Sequence, residues 1–228
     1  MSQIISIDGN IGSGKSSFLS YLREINKEQE ISNKQNFVFV DEPVEQWLQI
    51  RDSETGQSIF EKFYQDQPKY SFSFQMMAFI SRFSMLRKAI KENPDAIIIT
   101  ERCLYTDKYV FAKMLYDTKM LEDVNYQIYC KWFEEFSQEI PMSKIIYIKT
   151  NPEVCLERIN KRNRTGENTI KLDYLQLCST YHEDMMVELR EKNIEVIVLN
   201  GNDDIYINPN IYQYWYSLSC DVKLKVIK

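Results

Sequence analysis

Five short runs of apolar, largely β-branched residues recur along the chain. They cover residues 3–7, 37–41, 96–100, 144–148 and 195–199. Short apolar runs bounded by polar loops are typical of strands buried on both faces. The second and third runs end directly in acidic residues, Glu42 and Glu101. The pattern therefore predicts five buried strands, two of which carry charge at their carboxyl ends.

Between these runs, apolar residues recur at intervals of three and four, which indicates helices. The clearest case is residues 71–91, and shorter patterns cover residues 16–25, 107–115, 126–136, 152–161 and 172–191. Strands that alternate with helices predict an α/β fold, a parallel five-stranded sheet with helices on both faces. Because neither a repeat nor a linker interrupts the pattern, we expect a single domain over residues 1–228.

The loop after the first predicted strand fits the phosphate-binding pattern of glycine, four residues, Gly-Lys and Ser. Backbone N–H groups of such a loop point into one concavity, and the following helix adds its positive end. We expect Lys15 to reach the β and γ phosphates of a nucleotide and Ser16 to bind Mg²⁺. The predicted phosphate-binding residues are Gly9, Asn10, Ile11, Gly12, Ser13, Gly14, Lys15, Ser16 and Ser17.

Composition narrows the class of protein. The chain has 228 residues, 28 basic and 33 acidic, and a formal net charge of −5. This balance argues against binding to nucleic-acid polymers or membranes through net charge. The five cysteines are scattered and only one histidine is present, so a metal cluster is not expected. With no apolar run near 18 residues and no export pattern, we expect a cytoplasmic protein with reduced thiols.

Charged residues at two predicted strand ends, Asp41 and Glu42 at one and Glu101 and Arg102 at the other, indicate what reaction the nucleotide undergoes. Glu42 stands where a carboxylate accepts a proton from an attacking hydroxyl, although a solvated acidic loop is the alternative. Glu101 suits Mg²⁺ and Arg102 suits a phosphoryl group in transfer, with an ordinary surface ion pair as the alternative. In parallel sheets, ligands bind beyond the carboxyl ends of the strands, so we expect these groups to meet at one site.

Two helical patterns carry further polar groups. Arg158, Lys161, Arg162 and Arg164 lie at the end of one helix and in the polar loop beyond it, which predicts a lid over the γ-phosphate at about residues 158–169, or else a solvated basic face. On residues 71–91, Gln75, Ala78 and Arg82 share one face, where a planar ring with amide groups fits beside Ala78. That segment alone favours the simpler interpretation, a polar stripe on an amphipathic helix.

The ordered motifs GNIGSGKSS, DEPVEQW, FYQDQPKYSFSFQ, ERCLYTDKYVFAKML, ERINKRNR and IKLDYLQL resemble the family of deoxycytidine, deoxyguanosine and insect deoxynucleoside kinases, over residues 3 to about 190. The resemblance implies a P-loop NTPase-type fold and a homodimer. It also implies phosphorylation of the 5′-hydroxyl of deoxyribonucleosides with ATP or another nucleoside triphosphate as donor, and with Mg²⁺.

Matching motifs imply roles for individual residues. Glu42 resembles the family's general base, and the helix-end arginines resemble its lid. Tyr64 and Asp173 match the pair that holds the sugar 3′-hydroxyl, and Glu101 and Arg102 match the pair near Mg²⁺ and the phosphates. The base pocket is matched by Trp47, Phe74, Gln75 and Phe111.

The chain departs from the family pattern at two positions. Cys103 stands where serine usually follows the Glu-Arg pair, and Asp173 replaces a glutamate that is longer by one methylene. Residues 201–204 resemble the family's loop near the donor base only loosely.

Arg82 and Asp107 predict the base preference. A charged pair in an aromatic pocket is costly unless each partner is satisfied, which suggests that both meet polar groups of the substrate. Asp107 suits an exocyclic amino group, so we expect deoxycytidine or purine deoxynucleosides to be preferred over thymidine, and the family's members that act on these carry the same pair. The alternative is a purely structural pair.

Two other functions stay open at this point. A nucleoside monophosphate kinase needs extra basic residues on the acceptor side, and residues 44–75 offer only Arg51, Lys62 and Lys69. A nucleotide-dependent switch without transfer chemistry would bind the nucleotide and ignore the deoxynucleoside, and the sequence has no DxxG or NKxD pattern for guanine.

Overall fold

The computed structural model describes residues 2–29, 36–164, 167–203, 208 and 210–221. Three predictions fall partly outside these residues: the lid at Thr165 and Gly166, the donor loop at Asp204, and the thiol of Cys220.

The five predicted strands all form. They are β1 (Gln3–Gly9), β2 (Phe37–Val40), β3 (Ile97–Glu101), β4 (Met142–Lys149) and β5 (Glu195–Asn200). They make one sheet in the order β2-β3-β1-β4-β5, and every neighbouring pair is parallel. β1 lies at the centre, with Ile7 paired to Glu101 of β3 and to Ile146 of β4. The order places the carboxyl ends of β1, β2 and β3 side by side.

The longer helices match their predicted positions. They are α1 (Lys15–Gln29), α4 (Gln67–Glu92), α6 (Asp123–Phe136), α7 (Pro152–Arg162) and α8 (Leu172–Glu191). The pattern missed α2 (Val44–Gln49) and α3 (Ile59–Gln65), which are short, and α9 (Ile211–Asp221). α3 begins with a capping box, in which Ser58 and Glu61 bond to each other's backbone N–H groups.

Residues 107–115 do not form the single α-helix that their periodicity predicts. Thr106–Ala112 is π-helical and runs into the short α5 (Lys113–Asp117). The backbone N–H of Lys113 bonds to the carbonyl of Lys108, five residues earlier. A π-turn closes over one residue more than an α-turn, and a spacing of three and four does not distinguish the two, so the pattern did not reveal it.

Apolar side chains cover both faces of the sheet. On one face α4, α6, α8 and the π-helical segment bury Ile4, Ile98 and Ile145 of the strands. On the other face α1 and α9 pack Phe18, Leu19 and Trp215 against the opposite residues of the same strands. A separate cluster from α2, α3 and α4 lies around Trp47 and Phe74. None of the helices that the structure describes has the length and apolar character needed to cross a membrane.

Candidate active site

The phosphate loop connects β1 to α1 in a conformation that requires glycine. Gly9, Gly12 and Gly14 have φ angles of 147°, 80° and 101°. A Cβ atom on Gly9 would lie 2.6 Å from the carbonyl oxygen of Ile148, and one on Gly12 would lie 2.6 Å from that of Cys155. Side chains at these two positions are excluded by both backbone conformation and space.

Two buried polar side chains fix this loop. The amide of Asn10 donates to the carbonyl of Leu175 at 2.8 Å and accepts from the N–H of Ile11 at 2.8 Å. Lys15 is buried, and its Nζ donates to the carbonyl of Asn10 at 2.7 Å. Burial, aided by the positive charge of Arg102, lowers the pKa of Lys15 to about 8. The loop thus holds an ammonium group that lacks a direct carboxylate partner among the described residues.

Ser16 and Glu101 meet at the start of α1. The Ser16 hydroxyl donates to Oε1 of Glu101 at 3.0 Å. A hydroxyl and a carboxylate beside a phosphate loop are hard oxygen ligands of the kind that Mg²⁺ prefers. The structure therefore brings together the two residues that the sequence predicted as metal ligands.

Glu42 follows β2 and is held by two guanidinium groups. Arg102 and Arg82 both donate to its Oε1, at 2.6 Å and 3.1 Å. Burial raises the pKa of Glu42, but Arg102, Arg82 and Lys15 outweigh it and lower the pKa to about 2. No hydrogen bond within the described residues reaches Oε2. Glu42 is thus an ionised carboxylate with one oxygen available.

Arg82 connects three segments of the site. Besides Glu42 it donates to Oδ2 of Asp107 at 2.9 Å and to the backbone carbonyl of Glu101 at 2.7 Å. The Arg82 and Asp107 side chains are 2% and 3% exposed. Burial raises the pKa of Asp107, against the opposing effect of Arg82. The predicted Arg82–Asp107 pair therefore forms, and Arg82 also bonds to Glu42, the predicted general base.

Aromatic rings line the other side of Glu42. The ring of Phe74 lies 4.5 Å from that of Phe63 and 5.3 Å from that of Trp47, whose indole N–H donates to Ser81 at 2.9 Å. Gln75 is 2% exposed, and its amide makes no hydrogen bond to any residue that the structure describes. This buried amide beside Ala78 is free to bond with a ligand.

The helix-end arginines make two kinds of contact. Arg158 donates to the backbone carbonyls of Gly201 and Asp203, at 2.8 Å and 2.9 Å. Arg162 makes two bonds to Glu167, at 2.7 Å and 2.8 Å, and Arg164 makes a longer one at 3.4 Å. Lys161 has no ion pair within the described residues. The structure thus pairs two predicted lid residues with an acid that sequence reasoning missed.

One cavity of about 600 Å³ connects these groups. Its walls include the phosphate loop from Ile11 to Ser17, Glu42 and Glu101 with their arginines, the aromatic rings, and all four helix-end cations. Gly9 and Asn10 do not line it and act as supports from behind. A volume of this size suits a small ligand with polar groups at defined positions.

Asp173 does not lie in this cavity. It is exposed and lines a second cavity of about 350 Å³, separated from the first by Tyr64 and Tyr174. Glu167, buried at 3% exposure, lies in the main cavity with Tyr64. Burial and the charge of Glu167 raise the pKa of Tyr64. Tyr64 lines both cavities, and the acid that shares the main cavity with it is Glu167.

Comparisons with known proteins decide the family. A model of the deoxynucleoside kinase family matches residues 5–213. The chain belongs to the deoxynucleoside kinases. It is 36% identical to a probable deoxycytidine kinase of fowlpox virus (strain NVSL), covering 90% of this chain and 82% of the viral protein. It is 32% identical to the mitochondrial deoxyguanosine kinase of Xenopus laevis, covering 90% and 83%, and 28% identical to human deoxycytidine kinase, covering 88% and 84%.

Cys103 has no place in the cavity of this deoxynucleoside kinase. It is fully buried, and its Sγ lies 3.4 Å from Oγ1 of Thr106 and 3.6 Å from Oδ2 of Asp8. Burial raises the pKa of the thiol to about 12. A hydroxyl at this position would therefore serve the protein interior and not the ligand.

Several residues of the cavity were not predicted. Val44 comes from α2, Phe60 and Phe63 come from α3, and Ile211, Tyr212 and Trp215 come from α9. The aromatic content of residues 60–74 was a usable indication of a ring pocket. Nothing in the local pattern of α9 shows that it packs beside the phosphate loop of this deoxynucleoside kinase, since that depends on contacts with α1.

Proposed function

We propose that this deoxynucleoside kinase transfers the γ-phosphoryl group of ATP to the 5′-hydroxyl of a deoxyribonucleoside, with deoxycytidine or purine deoxynucleosides preferred. One observation carries the proposal: a single cavity joins the phosphate loop to an aromatic pocket with a free amide, and Glu42 stands between them. The donor and the acceptor therefore reach one carboxylate from opposite sides. The reaction is a step of nucleotide salvage.

The donor end of the cavity supplies positive charge. Lys15 and the N–H groups of the loop suit the β and γ phosphates, and Ser16 with Glu101 suits Mg²⁺, which supplies neutralisation of phosphate charge when bound. Arg102, Arg162 and Arg164 suit the equatorial oxygens of the phosphoryl group, where charge spreads in transfer. Arg158 anchors the loop at residues 201–203 near the donor.

Glu42 is placed to orient the 5′-hydroxyl and accept its proton on Oε2. The two arginines hold Oε1 and keep the carboxylate ionised, so it is ready to accept at any pH well above about 2. Its low pKa also makes it a weak base. That suits a loose phosphoryl-transfer transition state, in which the hydroxyl loses its proton late.

The acceptor end suits an uncharged nucleoside. The rings of Trp47, Phe74 and Phe111 suit the faces of a base, and the amide of Gln75 suits its polar edge. Tyr64 with Glu167 suits the 3′-hydroxyl of the sugar, a role that the structure supports for Glu167 better than for Asp173. The guanidinium groups of Arg82 and Arg102 beside these rings are already bonded to Glu42, which favours a nucleoside over a monophosphate.

A homodimer is part of the proposal. Val124, Ile128 and Trp132 lie four residues apart on α6 and are 64%, 41% and 43% exposed, and Ile80 on the adjacent α4 is 45% exposed. A row of exposed apolar residues on two packed helices is typical of an interface. Sedimentation at micromolar concentration should show a dimer, and Trp132→Lys should shift it to a monomer.

Phosphate transfer to the four deoxynucleosides, with a deoxynucleoside monophosphate as a fifth acceptor, tests the function. We expect kcat/KM to be highest for deoxycytidine or a purine deoxynucleoside, and no turnover of the monophosphate. Glu42→Gln should lower kcat by at least about 10²-fold and leave the Kd for ATP within about threefold. Glu45→Gln, an exposed neighbour, is the matched control. A Glu42→Gln enzyme with more than half of the wild-type kcat would remove Glu42 from this role.

A further inference from the structure

Asp8 is a buried carboxylate that the proposed reaction does not use. It lies in β1 next to Gly9 and is 0% exposed. Within the described residues it has no cation partner. Its contacts are the hydroxyls of Ser6 and Thr106, each at 2.5 Å, and the thiol of Cys103 at 3.6 Å. A buried polar group is unfavourable unless hydrogen bonds satisfy it, and the bonds from the two hydroxyls do so here.

Two of these donors belong to other segments of the site. Cys103 follows Arg102 in the turn after β3, and Thr106 is the first residue of the π-helical segment that carries Asp107 and Phe111. The backbone N–H groups of Thr106 and Asp107 also bond to the carbonyl of Cys103, at 3.1 Å and 3.3 Å. The Asp8 side chain thus joins the strand before the phosphate loop to both segments.

The turn that Asp8 holds is strained. Arg102 has a φ of 61°, a left-handed conformation that residues other than glycine rarely adopt. Such a conformation persists where the surroundings determine it, and the contacts of Cys103 and Thr106 with Asp8 lie immediately after it. If Thr106 moved, Asp107 would lose its alignment with Arg82, and Arg102 its alignment with Glu42.

We infer that Asp8, through Thr106 and Cys103, is a positioning residue that sets the base-recognising segment and Arg102 relative to the phosphate loop. The inference rests on the proposed function, because the effect of Asp8 is measured through the rate of deoxynucleoside phosphorylation. Asp8 touches neither substrate and acts through the groups that it holds in place.

The chain offers a matched pair of variants. Thr106→Val removes the hydroxyl that links Asp8 to the π-helical segment and keeps the shape of the side chain. Ser6→Ala removes a hydroxyl bonded to the same carboxylate at the same distance, but Ser6 lies in β1 itself; it contacts Cys103 and has no bond to the π-helical segment among the described residues. Thr106→Ser restores the hydroxyl.

The test measures kcat and KM for the preferred deoxynucleoside, the Kd for ATP by titration calorimetry, and the melting temperature. Thr106→Val should lower kcat/KM at least tenfold and leave the Kd for ATP within twofold. Ser6→Ala and Thr106→Ser should stay within threefold of wild type in kcat/KM. Equal losses of kcat/KM in Thr106→Val and Ser6→Ala, or no rescue by Thr106→Ser, would overturn the inference.

Should Thr106→Val not fold, the comparison of Cys103→Ala with Cys103→Ser replaces it. Cys103→Ser keeps a donor for Asp8, so its kcat should exceed that of Cys103→Ala at least threefold, and equal values would contradict the inference. A wild-type chain without transfer activity would instead refute the proposed function, so the two failures are distinguishable.

Discussion

The Arg82–Asp107 pair gives the most specific prediction, because its contacts allow single and double substitutions to be compared. Arg82 bonds to Asp107, to Glu42 and to the carbonyl of Glu101, and it is almost completely buried. Arg82→Met therefore leaves the Asp107 carboxylate buried without its cation. Breaking a buried pair in this way typically costs about 3–5 kcal/mol of unfolding free energy.

The double variant should lose less stability than Arg82→Met alone. With Asp107→Ala added, the orphaned carboxylate is gone. The remaining losses are the donors to the carbonyl of Glu101, at about 1–3 kcal/mol, and to Glu42, which keeps its bond from Arg102. The two substitutions should therefore be coupled by roughly 2 kcal/mol or more. Denaturation in urea at pH 7.5 measures all four corners of the cycle. Arg87→Met, which removes an exposed arginine of the same helix paired with Glu139, should change stability by less than about 0.5 kcal/mol.

The same four proteins test base preference. A hydrogen bond to a charged group contributes about 1.5–3 kcal/mol, so removing both charges should shift the ratio of kcat/KM for thymidine over deoxycytidine upward by at least about tenfold. Additive stability losses would show that the two side chains do not depend on each other. A wild-type enzyme that uses thymidine best would refute the assignment of the pair to base recognition.

Three further predictions follow from Lys15, His182 and Arg162. Since only protonated Lys15 binds phosphate and its pKa in the free enzyme is about 8, calorimetry should show ATP affinity falling by up to tenfold per pH unit above pH 8, whereas affinity constant to pH 9.5 would contradict this. Burial lowers the pKa of His182 to about 4, so between pH 6.5 and 4 only the unfolded chain takes up a proton at this residue, and stability is lost as the pH falls. From pH 7.5 to 5 the free energy of unfolding of the wild type should therefore fall by about 2 kcal/mol more than that of His182→Gln. Equal losses in the two proteins would contradict this prediction. Arg162→Ala should lower kcat by about 10²-fold or more with little change in deoxynucleoside Kd, and a rise in acceptor KM alone would remove it from the lid.

The sequence predicted the sheet and the phosphate loop because their information is local. β-branched runs specify buried strands, and the spacing of Gly9, Gly14 and Lys15 specifies a loop whose backbone conformation the structure confirms. Glu42, Glu101 and Arg102 converge because the carboxyl ends of neighbouring parallel strands must meet. Such arguments need only chain order and strand direction.

Distant contacts decided what the sequence did not predict. Glu167 and Asp173 lie only six residues apart, and their positions in the sequence do not show which of them enters the main cavity. The structure shows that it is Glu167, which pairs there with Arg162. The three bonds of Arg82 depend on α4 crossing the ends of β2 and β3, which no local pattern reveals. In the sequence, Asp8 is one polar residue in a strand. Its role becomes visible only in the fold, which places Thr106, 98 residues later, beside it.

The central position of β1 has a consequence for how the molecule assembles during synthesis. β1 leaves the ribosome before its two neighbours, β3 and β4, which start at Ile97 and Met142. Pairing over such separations makes chain closure slow, and the apolar strand stays unpaired until its partners emerge. The phosphate loop therefore gains its support from Ile148 and Thr150 only after β4 has been made. A nascent chain arrested before β4 should consequently fail to retain ATP, and folding intermediates that expose β1 are the species on which a chaperone would act.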